Sequence, residues 1–421
     1  MSKKKLLRNS IAGFLNKKNI RLIVFIIMTT SSAAQVEYGK LSDALISEGF
    51  ENVSVKTNEK TLHIAYEDRL YRSDVDGLLA IINKTIPTIN LDYIEKINFV
   101  VLKSGIPIIQ VISSKNILED FINKKIDRAE LVEKLQIDFD DITEENLSTA
   151  ERLNSSYFKF DFVLKPTIKF EFGPYSDPVL YQINFAPHVD LTLWKGMNIR
   201  YELTIPVHND FLPREDSIRT SLISLNQTFR FSNSFFVAAS AGLFTQNRYG
   251  FDFETRNYFL NGNFSIGTNI GYTGFASFVE TKLYYSDPYL WNGAVSADYR
   301  FSELDLTVGL MAGKFLQGDN TIRIDVTRDF GETTIGFFAL HSTDGITNGG
   351  VNISIPLLPS KHMQPGIARI RIAENFPFTY LVKTNTPDLI GLRFNTGFRI
   401  TDLLNKLNPI YLKNYIRNRS N

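Results

Sequence analysis

Residues 157–172 read Tyr157-Phe158-Lys159-Phe160-Asp161-Phe162-Val163-Leu164-Lys165-Pro166-Thr167-Ile168-Lys169-Phe170-Glu171-Phe172. Phe158, Phe160, Phe162, Leu164, Ile168, Phe170 and Phe172 are even-numbered, and Lys159, Asp161, Lys165, Lys169 and Glu171 lie between them. Successive side chains of a strand point to opposite faces, so this segment is a strand with one aromatic and one charged face. Pro166 cannot donate to a ladder and marks a bulge. The period of two recurs. Ile199, Tyr201, Leu203, Ile205 and Val207 alternate with Arg200, Glu202 and Thr204. Ile223, Leu225, Phe229 and Phe231 alternate with Ser224, Asn226, Thr228 and Arg230. Ile322, Ile324 and Val326 alternate with Arg323, Asp325 and Thr327.

Two architectures produce this pattern. A soluble sandwich turns the apolar face inward, whereas a membrane barrel turns it to lipid and its charges to the lumen. The connections favour the barrel. Gly173–Pro178, Asn209–Asp216, the stretch around Arg248–Arg256 and Thr343–Gly349 read as the longer ones, Asp287–Trp291 as moderate and Gln317–Asn320 as short. They alternate with tight turns at Lys195-Gly196, Ser232-Asn233, Thr273-Gly274, Ser302-Glu303 and Gly331-Glu332. One long-looped rim and one tight rim suit an outer-membrane barrel. The expected fold is mainly β: an antiparallel barrel of roughly 12–16 strands over residues 157–421. If inward-facing, Lys159, Asp161, Lys165, Lys169, Glu171, Arg200, Glu202, Arg230, Arg323 and Asp325 line the lumen, where opposite signs pair across strands or meet passing sugars.

Upstream, the pattern changes. Residues 35–137 alternate helical and strand periods: a helix through Leu41 and Leu45 ending at Gly49, a hairpin about Asn58-Glu59-Lys60, and a helix after Ser73. Two strands joined at Ser104-Gly105 follow, with a capping box at Asp127 and Glu130 further on. This is a small α/β domain, periplasmic if the barrel spans the outer membrane. Residues 138–156, with Asp138, Asp140, Asp141, Glu144 and Glu145, read as an acidic linker.

Residues 1–34 hold seven Lys/Arg and no acid, then the apolar run Leu22–Met28, then small residues. This is the order of an export signal, with cleavage between Ala34 and Gln35. The apolar run is far shorter than the roughly 20 residues that span a bilayer. The whole chain has 46 Lys/Arg against 45 Asp/Glu, so the remainder is mildly acidic and carries no nucleic-acid footprint. Cys is absent, which removes disulfides, thiolate sites and a lipidated cysteine. The five His are scattered, and no metal or cofactor site is expected. The Gly267-x-x-x-Gly271-x-x-Gly274 series lies in an alternating strand, not at a strand-to-helix turn, so it is no phosphate loop.

Several stretches together resemble a known family. They are Tyr71-Arg72-Ser73 leading into a helix to Asn83, Glu95 through Leu102, and Lys103-Ser104-Gly105-Ile106-Pro107 running on to Ser114. Further on come Thr343-Asp344-Gly345, Asn348-Gly349-Gly350 and Ile355-Pro356-Leu357. The chain resembles the YjbH family of exopolysaccharide- and group 4 capsule-associated outer-membrane proteins, in a short form, across most of its length. The resemblance implies a non-enzymatic role in making or exporting an extracellular polysaccharide. Outer-membrane lipid, the polysaccharide and periplasmic proteins of that pathway would be the partners. It supplies no catalytic residues. A small-solute porin and an outer-membrane enzyme acting on glycan or lipid are the alternatives.

Overall fold

The computed structural model describes residues 38–88, 93–140, 142, 152–171, 180–210, 216–279, 282–383 and 389–419. The expected leader and its Ala34-Gln35 junction lie outside them, as do Asp141, Glu144 and Glu145 of the acidic stretch. No helix among the described residues is long and apolar enough to cross a membrane.

The α/β domain begins with helix α1 (residues 38–48), which buries Leu41 and Leu45. Strands β1 (Glu51–Asn58) and β2 (Thr61–Glu67) form the expected hairpin, followed by α2 (Asp74–Thr88). Next come β3 (Lys96–Lys103), β4 (Ile106–Ser114), α3 (Lys115–Ile122), α4 (Arg128–Lys134) and β5 (Gln136–Asp138). The sheet order is β1-β2-β3-β4-β5, with β2 and β3 parallel across the α2 crossover. Asp127 caps α4 by accepting from the Glu130 N–H at 2.8 Å. Asp68 is fully enclosed and accepts backbone N–H bonds from Leu70 and Tyr71. Burial, with the Asp74 charge nearby, pushes its carboxyl up to about 7 against those two bonds.

The barrel follows. β6 (Phe160–Leu164) and β7 (Pro166–Glu171) are one pass broken at the expected proline. β8 (Leu180–Phe185) and β9 (His188–Trp194) are a second, bent at Pro187. Then come β10 (Met197–Asn209), β11 (Arg219–Arg230), β12 (Phe235–Phe244), β13 (Arg248–Phe259) and β14 (Phe264–Val279). β15 (Lys282–Tyr285) and β16 (Leu290–Phe301) return together along β14. β17 (Leu306–Lys314), β18 (Asn320–Phe330), β19 (Thr333–Ser342) and β20 (Thr347–Pro356) continue the meander. β21 (Ala368–Ile372) and β22 (Asn375–Lys383) form the final pass. The seventeen barrel segments include four such broken pairs, so the described residues make thirteen passes. An odd number leaves the first and last passes pointing the same way. β21 therefore pairs with β6 in parallel, Arg369 opposite Asp161. Above that ladder the seam is bridged by Phe170 and Phe378, edge to face at 5.8 Å.

Four loop expectations are corrected. Thr343–Gly349 shortens to a turn at 343–346, because Thr347, Asn348 and Gly349 pair with β19 as the start of β20. The stretch around Arg248–Arg256 is strand β13, paired residue by residue with β12 and β14, and the connection before it is the short turn at 245–247. Thr273-Gly274 is not a turn but lies inside β14, because Gly274 leaves the room that the Tyr249 ring takes; a Cβ there would stand 2.6 Å from Cε1. Leu290 and Trp291 already belong to strand β16, and the loop before them interrupts a single pass. Lys195-Gly196 is a turn as read: Gly196 has φ +77°, and a Cβ there would sit 2.2 Å from the Thr228 carbonyl oxygen.

Residues 138–139 belong to the packed domain, although the sequence places them in the linker. Asp138 is the last residue of β5 and accepts from Gln110, which no solvated linker residue would do. Phe139 is buried against Tyr258 and Phe236 of the barrel. Leu153 bridges to Val53.

Apolar side chains cover the outside of the barrel. Phe160, Phe162, Phe229, Phe253, Ile270, Trp291, Ile322 and Phe337 are all exposed, while their odd or even counterparts Asp161, Asn226, Asp252 and Asn269 are buried inside. The 12 residues of β11, at about 3.3 Å each and tilted by about 45°, rise about 28 Å, close to the roughly 25 Å apolar band of such barrels. The Phe162→Arg variant is expected to lose folded, heat-modifiable barrel because a charge at mid-bilayer costs about 2–4 kcal/mol. Lys169→Gln should leave its yield unchanged. Equal tolerance of both would place the apolar face in a protein core instead.

Candidate functional site in the lumen

The lumen is occupied by the chain itself. After β22 the polypeptide returns through the barrel as residues 389–399, followed by helices α5 (Ile400–Leu404) and α6 (Pro409–Asn418). Its contacts are specific along its length. Ile390 packs with Phe338 and Leu340, and the Gly391 N–H donates to Asp319 at 2.8 Å. Phe394 stacks on Phe244 at 5.0 Å, beside Gly271, where a Cβ would come within 2.9 Å of the ring. Thr245 and Asn395 exchange two hydrogen bonds, of 2.7 and 3.2 Å. Arg399 donates to Asp252 at 2.8 Å, and the Ile400 N–H donates to Glu254 at 3.2 Å.

At the tight-turn rim, α6 lies between the barrel and the α/β domain. Ile400, Leu404, Leu407, Tyr411, Leu412 and Ile416 join one apolar cluster with Leu131, Val132, Ile137 and Phe139 of the domain and Phe236 and Tyr258 of the wall. The turns themselves bind this cap. Tyr411 donates to the Gly331 carbonyl, and Asn408 donates to that of Gly262. Arg72 forms a two-point pair with Glu332 at 2.6 and 2.8 Å. Burial pulls the Glu332 carboxyl up, but hydrogen bonds from Arg72 and Tyr415 outweigh it and hold it below its ordinary value.

The ten residues expected in the lumen divide into groups. Asp161, Arg200, Glu202, Lys165, Arg323 and Asp325 point inward. Arg200 holds Asp190 through two bonds of 2.6 and 2.7 Å and donates to the Gly397 carbonyl of the plug. Lys165 meets Glu202 at 3.4 Å, and Arg323 grips Asp325 through two bonds while covering the Phe338 ring. Lys169 is opposite buried Gln182 on the inner face. The Glu171 side chain lies outside what is described. Lys159 and Arg230 do not line the lumen: both sit at the rim, where they hold the domain. Lys159 pairs with Glu51, and Arg230 donates to the carbonyls of Pro107 and Phe139. Their inward parity is real, but the strand ends there, and the nearest partner is the domain below.

Asp161 is the junction of these contacts. It is 3% exposed and takes two hydrogen bonds from Arg369, its partner across the seam, with Arg69 of the α/β domain at 3.0 Å and Arg371 at 3.3 Å.

Beside the plug remains a polar cavity of about 740 Å³, lined by residues from β13, β14, β16 through β20, β22 and the plug. Within it Arg256 pairs with Asp298 and Arg300 with Asp329. Sequence reading did not single these out. Asp252, Glu254 and Arg256 alternate with Phe251 and Phe253 in the stretch taken for a loop, so the signal was present there. Removal of residues 389–421 should open the lumen: in planar bilayers the truncated barrel is expected to pass ion currents that the whole chain does not. Equal currents from both would show that the plug obstructs nothing.

A search of curated proteins finds no match to the chain. Among solved structures, a loop L8 deletion mutant of OmpT, an outer membrane protein of Vibrio cholerae, is similar at 10% identity over 46% of this chain and 85% of its own, with a TM-score of 0.27. The family model described as exopolysaccharide biosynthesis protein YbjH matches residues 25–361, which takes in the α/β domain and the barrel through β20. The chain belongs to the YjbH family of exopolysaccharide biosynthesis proteins.

Proposed function

We propose that the chain serves exopolysaccharide assembly or export as a non-enzymatic barrel of the outer membrane, with its α/β domain in the periplasm. The observation that carries this reading is the combination of an apolar outer belt with a polar, plugged interior. The belt requires lipid, and a lumen filled by residues 389–404 does not suit a general diffusion porin. The export-type leader and the family agree with it. The α/β domain closes the tight-turn rim, with the end of α1 bound to Lys361 and Gln364 of the barrel chain, and its 58–61 hairpin is where other envelope proteins of the pathway would dock.

The test is a deletion strain carrying the full chain on a plasmid. The protein should fractionate with the outer membrane, beginning at Gln35, and secreted polysaccharide should fall without it and return with it. Unchanged polysaccharide would overturn the role, and recovery from the cytosol would overturn the location. An enzyme would be revealed differently, by one carboxylate variant that keeps the fold but abolishes polysaccharide.

A further inference from the structure

Most charges in the lumen cavity are already matched. Arg256 with Asp298, Arg300 with Asp329, and Arg323 with Asp325 are ion pairs, and Lys406 lies 3.7 Å from Asp329. Three side chains of the plug differ. Arg393, Asp402 and Asn405 all line the cavity and are exposed within it. Arg393 makes no ion pair among the described residues, and its guanidinium hydrogen-bonds to Met311 Sδ at 3.5 Å. The Asp402 and Asn405 side chains make no hydrogen bond or ion pair among the described residues. The facing wall offers neutral groups, including Thr379 donating to Asn352 at 2.9 Å.

A guanidinium supplies donors only, a carboxylate acceptors only, and an amide both. A small anion would suit Arg393 but be repelled by Asp402, and a cation the reverse. A hydroxyl group donates and accepts at once, so a chain of hydroxyls satisfies all three without a net charge. The volume falls within the roughly 300–1,000 Å³ of sites that hold small organic ligands. We propose that this cavity is a binding site for a short neutral saccharide segment, held by Arg393, Asp402 and Asn405 on the plug. The proposal rests on the polysaccharide role above and names the ligand class for the lumen. Because the three contacts belong to the plug and not the wall, sugar occupancy and plug position are coupled: the segment that fills the barrel is also the one that reads the glycan.

The experiment uses the full chain in detergent on an array of neutral oligosaccharides of two to six hexoses, with carboxylated and sulfated counterparts. Binding to at least one neutral series is expected, weakened 10-fold or more by Asp402→Asn and by Arg393→Gln. Both variants should keep the heat-modifiable gel migration of the parent, since neither side chain is buried in packing. No binding to any neutral glycan overturns the proposal. So does a preference for the anionic series that Asp402→Asn strengthens, or binding that neither variant changes. These failures are separate from that of the polysaccharide role: a strain whose secretion still depends on the chain, while the array stays blank, loses only the saccharide site.

Discussion

One carboxylate joins the first pass of the barrel, its last pass and the α/β domain. Thirteen passes cannot close antiparallel, and the parallel ladder that joins β21 to β6 runs over only five residue pairs. Asp161 sits in that ladder opposite Arg369, and its two oxygens also meet Arg69 of the α/β domain and Arg371. In hydrocarbon an open sheet edge would leave backbone groups unsatisfied, at several kcal/mol each, so closure is obligatory. A ladder this short benefits from a buried, multiply bonded charge at its foot. Loss of one partner of such a pair costs about 3–5 kcal/mol, because the remaining charges stay buried without compensation. Here Arg369 would keep only backbone carbonyls as partners, while Arg69 and Arg371 would keep Glu51 and Glu374. The domain is thereby tied to the seam, and Lys159, Arg230 and Arg72 extend the same attachment around the rim.

The second constraint follows from the first. A barrel of this size has an interior that side chains alone do not fill. The chain fills it with its own last residues, and the match is chemical at each level. Apolar contacts at Ile390 and Phe394 lie against Phe338, Leu340 and Phe244, charged contacts at Arg399 against Asp252, and apolar contacts again where α6 meets the domain. Glycine contributes where backbone must be close: Gly271 clears space for Phe394, which a side chain there would occupy. The cavity that remains lies between plug and wall, and three side chains of the plug, Arg393, Asp402 and Asn405, reach into it without an ion pair among the described residues.

Much of the wall was legible in the sequence because a two-residue period with aromatic and charged faces has few physical solutions. Phe160, Phe162 and Phe170 face out, and Asp161 and Arg200 face in, as parity alone requires. Turn signals were less reliable. Thr273-Gly274 carries the composition of a turn, but its glycine serves packing against Tyr249. β13 was hidden because Arg248, Asp252, Glu254 and Arg256 look like a loop until their partners on other segments are known. The plug was illegible for the same reason: Arg393 to Lys406 has neither a strand period nor an amphipathic stripe, since its surroundings change from the Phe244 ring to Asp252 to the cap within a few residues. Lys159 and Arg230 show the converse, since parity says which side of a sheet a residue takes but not where the strand ends.

A plugged lumen requires residues 389–399 to lie inside the barrel. The chain has no Cys, so a single pair can be introduced at Thr245 and Asn395, whose backbones are hydrogen-bonded across the plug–wall contact. The Thr245→Cys, Asn395→Cys double variant should oxidise to an internal cross-link in intact membranes, seen as a shift in gel migration that reductant reverses. Failure to cross-link, with the cysteine at 395 open to a bulky membrane-impermeant maleimide, would place the segment outside the lumen and contradict the structure's central feature.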